Sequence, residues 1–423
     1  MTGPGRTEMD APSLADTPGF AEAPGFADDN SFTEGKAVRV LVVNAGSSSL
    51  KLRVLGEGDW LAGSADLPAP RGTVDAAELE SALASLGAVD AVGHRIVHGG
   101  IYFTEPVVIE DKVITRLEAL TDLAPLHQPK SLAALAAVRA ALPAVPGVAC
   151  FDTAFHASIP AAAATYALPR EWRQRWALRR YGFHGLSHAY CSRRAAELAG
   201  GGAATSSGDP ASGASASLRV VTCHLGAGAS LAAVRDGVSV DTTMGFTPLE
   251  GLVMATRSGT VDPGLVLWLE EHAGMPPAEL AATLEHRSGL LGLAGTADMR
   301  AVLEGADEGE EEAQLALDVY VHRLRASTAA MVASLGGLDV LVFTGGVGEN
   351  SPEVRARAMK GLAFLGITVD PARNEAVPEP ADREIGPSDA PVRTFVVAAR
   401  EDLEIARQVR ACLAAAAPGE PLG

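Results

Sequence analysis

The segment Asn44-Ala-Gly-Ser-Ser-Ser-Leu-Lys51 joins residue types that suit a bound phosphate. Glycine and serine admit close backbone approach, three hydroxyls add donors, and Lys51 supplies a cation. It is not a Walker A loop, because GxxxxGK[ST] is absent and the residues that follow read as a strand. Three further segments set arginine or histidine beside glycine: Gly93-His94-Arg95-Ile-Val97-His98-Gly-Gly, Arg180-Tyr-Gly-Phe183-His184-Gly-Leu-Ser-His188 and Thr256-Arg257-Ser-Gly. A guanidinium fork pairs with carboxylate or phosphate while glycine lets the ligand come close, so these segments read as anion recognition. Asp152 ends an apolar run in Ala149-Cys-Phe-Asp-Thr-Ala-Phe-His, a carboxylate at a strand end and hence a candidate metal or substrate group. A dedicated zinc site is not expected, since HExxH is missing and His94 and His98 stand in a strand-like run.

An α/β framework must position these groups. Apolar runs predict strands over Val38–Val43, Gly147–Phe151, Leu218–Cys223, Val340–Phe343 and Thr394–Ala398. Helical periodicity predicts helices over Glu78–Leu86, Lys130–Leu142, Ala189–Leu198, Gln314–Leu335 and Glu401–Ala416. Phe343-Thr-Gly-Gly-Val-Gly-Glu-Asn-Ser351-Pro-Glu-Val-Arg follows a strand and opens a helix, with Ser351 as N-cap and Pro352 in the first helical position. That arrangement suits a nucleotide beside a helix N-terminus. A dinucleotide fingerprint would need glycine where Ser351 stands.

The stretch from Val40 to Val54 aligns with that from Val220 to Val234, 180 residues later. Each reads as a strand, a turn of small residues and a second strand. The chain therefore looks internally duplicated, with two similar lobes that each offer a turn of backbone N–H groups to a shared cleft.

The composition narrows the partners. With 423 residues, 34 Lys and Arg against 52 Asp and Glu, the formal charge is -18. A surface of that sign repels nucleic acid and anionic lipid. Cys150, Cys191, Cys223 and Cys412 have neither CxxC spacing nor the number for a disulfide framework, which points to a reducing, cytoplasmic location. No uninterrupted apolar run is long enough to span a bilayer, and residues 1–36 lack the apolar core of a signal peptide. Those residues read as a disordered acidic tail, and residues 200–217, almost all Gly, Ala and Ser, as a surface loop. The acidic run Glu304–Glu312 reads as a solvated face.

Taken together, the motifs NAGSSSLK, GHRIVHGG, LAPLHQP, FDTAFH, YGFHGLSH, CHLGAGAS, DTTMGFTPLEGLVMATRSGTVDPG and FTGGVGEN resemble those of the acetate kinase family, from about Val38 to Arg407. The resemblance implies a duplicated two-lobe actin-like ATPase (ribonuclease H-like) fold with the active site in the cleft. Residues 37–152 plus 398–418 would form the first lobe and residues 153–397 the second. It implies reversible phosphoryl transfer from ATP to acetate, with Mg²⁺ or alternatively Mn²⁺, in a homodimer without nucleic-acid or membrane partners. Arg95 and Arg257 would clamp the acetate carboxylate and phosphoryl oxygens, and His184 would donate to a phosphoryl oxygen. Asp152 and Glu401 would position the metal, with Asn44 beside them and Lys51 near the phosphoryl path. His224, Gly226, Ala227 and Gly228 would meet the donor phosphates, and Gly346 and Gly348 would line the adenosine pocket. The methyl of acetate would rest against Val97, Leu126, Phe183 and Pro248.

Three positions depart from the family pattern. Ala227 stands where asparagine is usual, Leu186 where threonine is usual, and Ala399-Arg400-Glu401-Asp402 replaces a TNEE-like segment. Propionate or butyrate as acceptor, pyrophosphate as donor, and a non-catalytic nucleotide-binding relative are the competing readings.

Overall fold

The computed structural model describes residues 38–46, 49–69, 73–124, 127–200, 217–376 and 382–416. Residues 1–36 and most of the low-complexity stretch, 201–216, lie outside the described residues.

Two six-stranded sheets carry the molecule. The first contains β1 (Val40–Ala45), β2 (Ser49–Leu55), β3 (Leu61–Pro68), β4 (Ala91–Ile96), β5 (Val107–Val108) and β6 (Gly147–Phe151), in the order β3-β2-β1-β4-β6-β5. The second contains β7 (Arg219–Leu225), β8 (Ala229–Arg235), β9 (Val238–Thr242), β10 (Val340–Thr344), β11 (Arg383–Glu384) and β12 (Arg393–Val396), in the equivalent order β9-β8-β7-β10-β12-β11. In each, a three-stranded antiparallel meander is followed by two parallel strands and a short antiparallel edge strand. The duplication seen in the sequence is thus a duplicated topology.

The central strands are apolar at successive positions because helices cover both their faces. In β1, Val40 and Val42 pack toward the C-terminal helix Glu401–Ala416, while Leu41 and Val43 pack on the opposite side with Ala134 and Val138 of the helix Gln128–Ala141. In β10, Val340 and Val342 pack with Tyr190, Cys191 and Ala195 of the helix Gly185–Leu198, and Leu341 and Phe343 join the large core under the helix Glu311–Leu335. That long helix buries Ala313, Ala316, Leu317, Tyr320, Val321, Leu324 and Thr328 in one stripe, as a 3.6-residue period requires. The acids Glu304, Glu308 and Glu310–Glu312 stand exposed before and at its start.

Several expected boundaries move. β1 runs two residues further than expected, which places Asn44 inside the ladder opposite Lys51. The helix expected from Ala189 begins at Gly185, so His184 is its N-cap. A short helix, Gly345–Asn350, follows β10 at once, ahead of the helix Pro352–Lys360 that Ser351 caps through Val354 N–H. The two hairpins also differ by a residue. Asn44 faces Lys51, whereas His224 faces Ser230, so the alignment at 180 residues holds for β1 and β7 and shortens by one after the turn.

Among the described residues no helix is long and apolar enough to cross a membrane. Cys150, Cys191, Cys223 and Cys412 are all free, the first three buried.

Candidate active site

The C-terminal ends of β1, β4 and β6 and the start of the helix Glu401–Ala416 bring four polar side chains together. Arg95 on β4 donates from Nε and Nη2 to the Asp152 carboxylate at 3.1 and 2.7 Å, and from Nη1 to Asn44 Oδ1 at 3.2 Å. Asn44 Nδ2 donates to Glu401 Oε2 at 3.1 Å, which lies 3.7 Å from Arg95 Nη1. Burial acts to lower the Arg95 pKa, but the Asp152 and Glu401 carboxylates outweigh it and the guanidinium is held above its ordinary value. Burial raises the Asp152 pKa against the pull of Arg95, whereas Arg95, His224 and the Asn44 hydrogen bond hold Glu401 low despite its burial. Asp152, expected to position a metal, spends both oxygens on Arg95 here.

Across the cleft, the turn between β7 and β8 meets the N-terminus of the helix Gly185–Leu198. That helix approaches β6 so closely that Gly185 N–H donates to Asp152 O at 2.9 Å, and a Cβ at Gly185 would stand 2.1 Å from the same oxygen. His184 takes a left-handed conformation, φ 56°, and stacks on His224 with ring centroids 4.3 Å apart. Its Nδ1 lies 2.9 Å from Ser230 Oγ, which leaves Nε2 facing the turn. A Cβ built on Gly228 would lie 3.1 Å from His184 Nε2 and 3.4 Å from Arg257 Nη1, so both groups converge on the space above that glycine. Burial, then His224, Arg95, His188 and Arg257, push the His184 imidazole well below its ordinary pKa, so it is neutral at pH 7. Arg257 bonds Pro248 O at 3.2 Å and His127 Nε2 at 3.2 Å, with Glu285 3.9 Å away. A half-buried cation and a neutral imidazole facing one gap, with the half-buried Arg95 near enough to act on His184, suit an anion whose charge is spread over several oxygens.

Relatives of this chain fix the family. The acetokinase family model matches residues 69–407. The acetate kinase of Gloeothece citriformis is 47% identical over 324 residues, 76% of each chain, and that of Clavibacter michiganensis 49% identical over 324 residues, 77% of this chain and 78% of its own. The chain belongs to the acetokinase family. Members are kinases with a carboxylate acceptor, and this chain is an enzyme of that kind. The acetate kinase of Porphyromonas gingivalis superposes with a TM-score of 0.78 at 34% identity, covering 89% of this chain and all of its own. A propionate kinase from Francisella tularensis gives 0.78 at 33% identity, covering 88% and 99%. The architecture is the two-lobe actin-like ATPase fold.

Lys51 is exposed on β2, close enough to Glu401 to help hold its pKa low. Gly226 and Ala227 lie on the β7–β8 turn, with Ala227 exposed and its carbonyl accepting from Ala255 N–H at 3.1 Å. Gly346 borders open space, and Gly348 is buried against Phe343, Cys223 and Leu225, where it packs the short helix. Val97 is half-buried against the second lobe's core, which includes Phe183, and Pro248 is tied to Arg257. Leu126 lies outside the described residues. Sequence reading passed over His127 and Glu285, the partners of Arg257, and the polar group Ser187, His188, Thr222 and Ser230 beneath His184 and His224. Ser187 and His188 were legible as the residues one helical turn from His184; the others come from distant segments.

The fit to Mg²⁺ rests on donor chemistry. Asn44 Oδ1, Asp152 and Glu401 are hard oxygen donors, the kind that Mg²⁺ accepts while keeping several waters. Among the described residues no three His, Cys, Asp or Glu are close enough to form a dedicated cage. The Mg²⁺ that the motif resemblance implies is therefore one that these oxygens could hold in part through water.

Proposed function

We propose that the chain catalyses reversible transfer of the γ-phosphoryl group of ATP to acetate, giving ADP and acetyl phosphate by direct in-line displacement. Acetate is ionised at neutral pH and needs no general base, so the protein's contribution is alignment and neutralisation of charge on the transferring group. The observation that carries this reading is the convergence of His184 Nε2 and Arg257 Nη1 above Gly228. Arg95, held by Asp152, Asn44 and Glu401, faces them from the other lobe.

Arg95 and Arg257 then bind the acetate carboxylate and the phosphoryl oxygens, and neutral His184 donates from Nε2. The turn residues Gly226, Ala227 and Gly228 with His224 receive the donor phosphates, and Gly346 borders the adenosine. Lys51 supports the phosphoryl path. Val97, Phe183 and Pro248 wall the acetate methyl. Mg²⁺ bound near Asn44, Asp152 and Glu401 would neutralise phosphate charge. Lobe closure would exclude water and limit hydrolysis. A cytoplasmic homodimer is the assembly this reading carries.

The propionate kinase among the structural relatives makes acceptor size the open competitor. One methylene separates the two acids, worth roughly 1–3 kcal/mol in a fitted pocket. Trapping acyl phosphate with hydroxylamine decides it, with acetate, propionate and butyrate compared at saturating Mg²⁺ and ATP or pyrophosphate as donor. Highest turnover with acetate and ATP is expected. Turnover with pyrophosphate alone would reassign the donor, and silence with both donors would make the chain a non-catalytic relative.

A further inference from the structure

His184 and His188 are one helical turn apart and share the helix face that lies on β7 and β8. Beneath them four side chains form an unbroken series. Thr222 Oγ1 lies 2.7 Å from His188 Nδ1, His188 Nε2 lies 2.8 Å from Ser230 Oγ, and Ser230 Oγ lies 2.9 Å from His184 Nδ1. Thr222, His188 and Ser230 have no solvent exposure.

The number of hydrogens sets the direction of the series. Each hydroxyl and each neutral imidazole brings one hydrogen to it. Suppose His184 Nδ1–H donates to Ser230 and Ser230 donates to His188. His188 must then donate to Thr222, whose own hydroxyl hydrogen is left with no acceptor among the described residues. If instead both imidazoles donate to Ser230, the Ser230 hydrogen is the one stranded. A buried hydroxyl without an acceptor is disfavoured. Four hydrogens serve three contacts, and the remaining arrangement fills all three while the one left over lies at the cleft and not in the buried interior: Thr222 donates to His188 Nδ1, His188 Nε2–H to Ser230, and Ser230 to His184 Nδ1. It leaves His184 with its proton on Nε2, the nitrogen that faces Gly228 and Arg257.

We infer that Ser230, His188 and Thr222 are positioning residues, a relay of hydroxyl and imidazole groups that fixes His184 as the Nε2–H tautomer so that it can donate to the transferring phosphoryl group. The use of that donor rests on the phosphoryl-transfer reading. The tautomer itself does not, and it can be read without any substrate.

The test is long-range ¹H–¹⁵N spectroscopy of the histidine rings in the full-length, ligand-free protein at pH 7, assigned from the signals lost in His184→Asn and His188→Asn. Protonated Nε2 and unprotonated Nδ1 are expected on both rings. A His184 ring protonated on Nδ1 overturns the relay. In Ser230→Ala, kcat should fall about 10- to 100-fold, the usual cost of losing an orienting partner behind a reactive imidazole, with KM for ATP and acetate held within about twofold. The His184 ring should become a mixture of tautomers, and Ser230→Thr should restore both readouts. Thr222→Val should cost less and add nothing in the Ser230→Ala background, because the relay is already cut. A folded Ser230→Ala enzyme with unchanged kcat and tautomer overturns the proposal. If the wild type forms no acyl phosphate yet shows the expected tautomers, phosphoryl transfer fails and the relay stands. If the wild type is active but carries the opposite tautomer, phosphoryl transfer stands and the relay fails.

Discussion

The β1–β2 and β7–β8 hairpins occupy equivalent places in the two sheets and present different chemistry at the same cross-strand pair. In the first, Asn44 faces an exposed Lys51 and reaches Glu401 and Arg95. In the second, His224 faces a fully buried Ser230, and the neighbouring polar groups are neutral imidazoles and hydroxyls. At this pair of positions the first hairpin thus manages opposed charges, and the second directed hydrogen bonds among uncharged groups, with Arg257 reaching its turn from elsewhere in the chain. Duplication supplied one backbone frame twice, and the side chains at one pair of positions divided the labour. Ionised groups need water or counter-charges, so they sit at the cleft edge. Neutral imidazoles tolerate burial once each nitrogen has a partner.

The largest test of this division is removal of the arginines. Arg95→Ala and Arg257→Ala should each lower kcat by roughly 10³-fold, with KM less affected, as expected for groups that meet charge developing in the transition state. They should differ in stability. Arg95→Ala strands the buried carboxylate of Asp152 beside the half-buried Glu401, a loss on the order of 3–5 kcal/mol, whereas Arg257 leaves behind only Glu285 at 3.9 Å. Calorimetry on both variants should show the larger fall in Tm for Arg95→Ala, and equal falls would erase the contrast between lobes.

A smaller effect is expected at the turn of the second hairpin. Ala227 is exposed and carries no side-chain donor. Ala227→Asn should lower KM for ATP by about tenfold, since a hydrogen bond to a charged group is worth roughly 1.5–3 kcal/mol. No change would mean that backbone N–H groups already fill that contact.

The subtlest difference is in acid sensitivity. Burial holds His156 down to about 4 and pushes His184 and His188 well below their ordinary value, with His224 lowered too. Above pH 6.5 these imidazoles are neutral whether the region is folded or open. Below it the open form takes up protons that the folded form refuses, so stability is lost as pH falls from 6.5 toward 4. The β1 and β2 strands contain no histidine, and the ladder beside them holds one such imidazole, His94 of β4 next to Val43, which burial also lowers to about 4. Hydrogen exchange compared at pH 7 and 5.5, after correction for intrinsic rates, should show several-fold greater loss of protection in β7–β8 than in β1–β2.

Much of this was legible in the amino-acid order. The two-faced apolar runs of β1, β6 and β10, the stripe of the helix Glu311–Leu335 and the helix Glu401–Ala416 follow from local periodicity. Arg95, His184, Arg257 and Asp152 were marked by residue type beside glycine or at a strand end. The edge strands β5 and β11, two residues each, carry too little pattern to be seen locally and exist because a neighbouring strand offers its ladder. The motifs named the residues without their partners. Arg95 meets Glu401 across 306 positions, Ser230 meets His188 across 42, and Arg257 meets His127 across 130.

The sequence by itself therefore determined the long central strands and helices, the duplication and the identity of the reactive groups, because these depend on neighbours within a few residues. The tertiary structure decided which nitrogen of His184 is free, that Asp152 is committed to Arg95, and that Gly348 is packed against β7 and β10. Those outcomes depend on burial and on hydrogen-bond partners that only the folded chain brings within about 3 Å of one another.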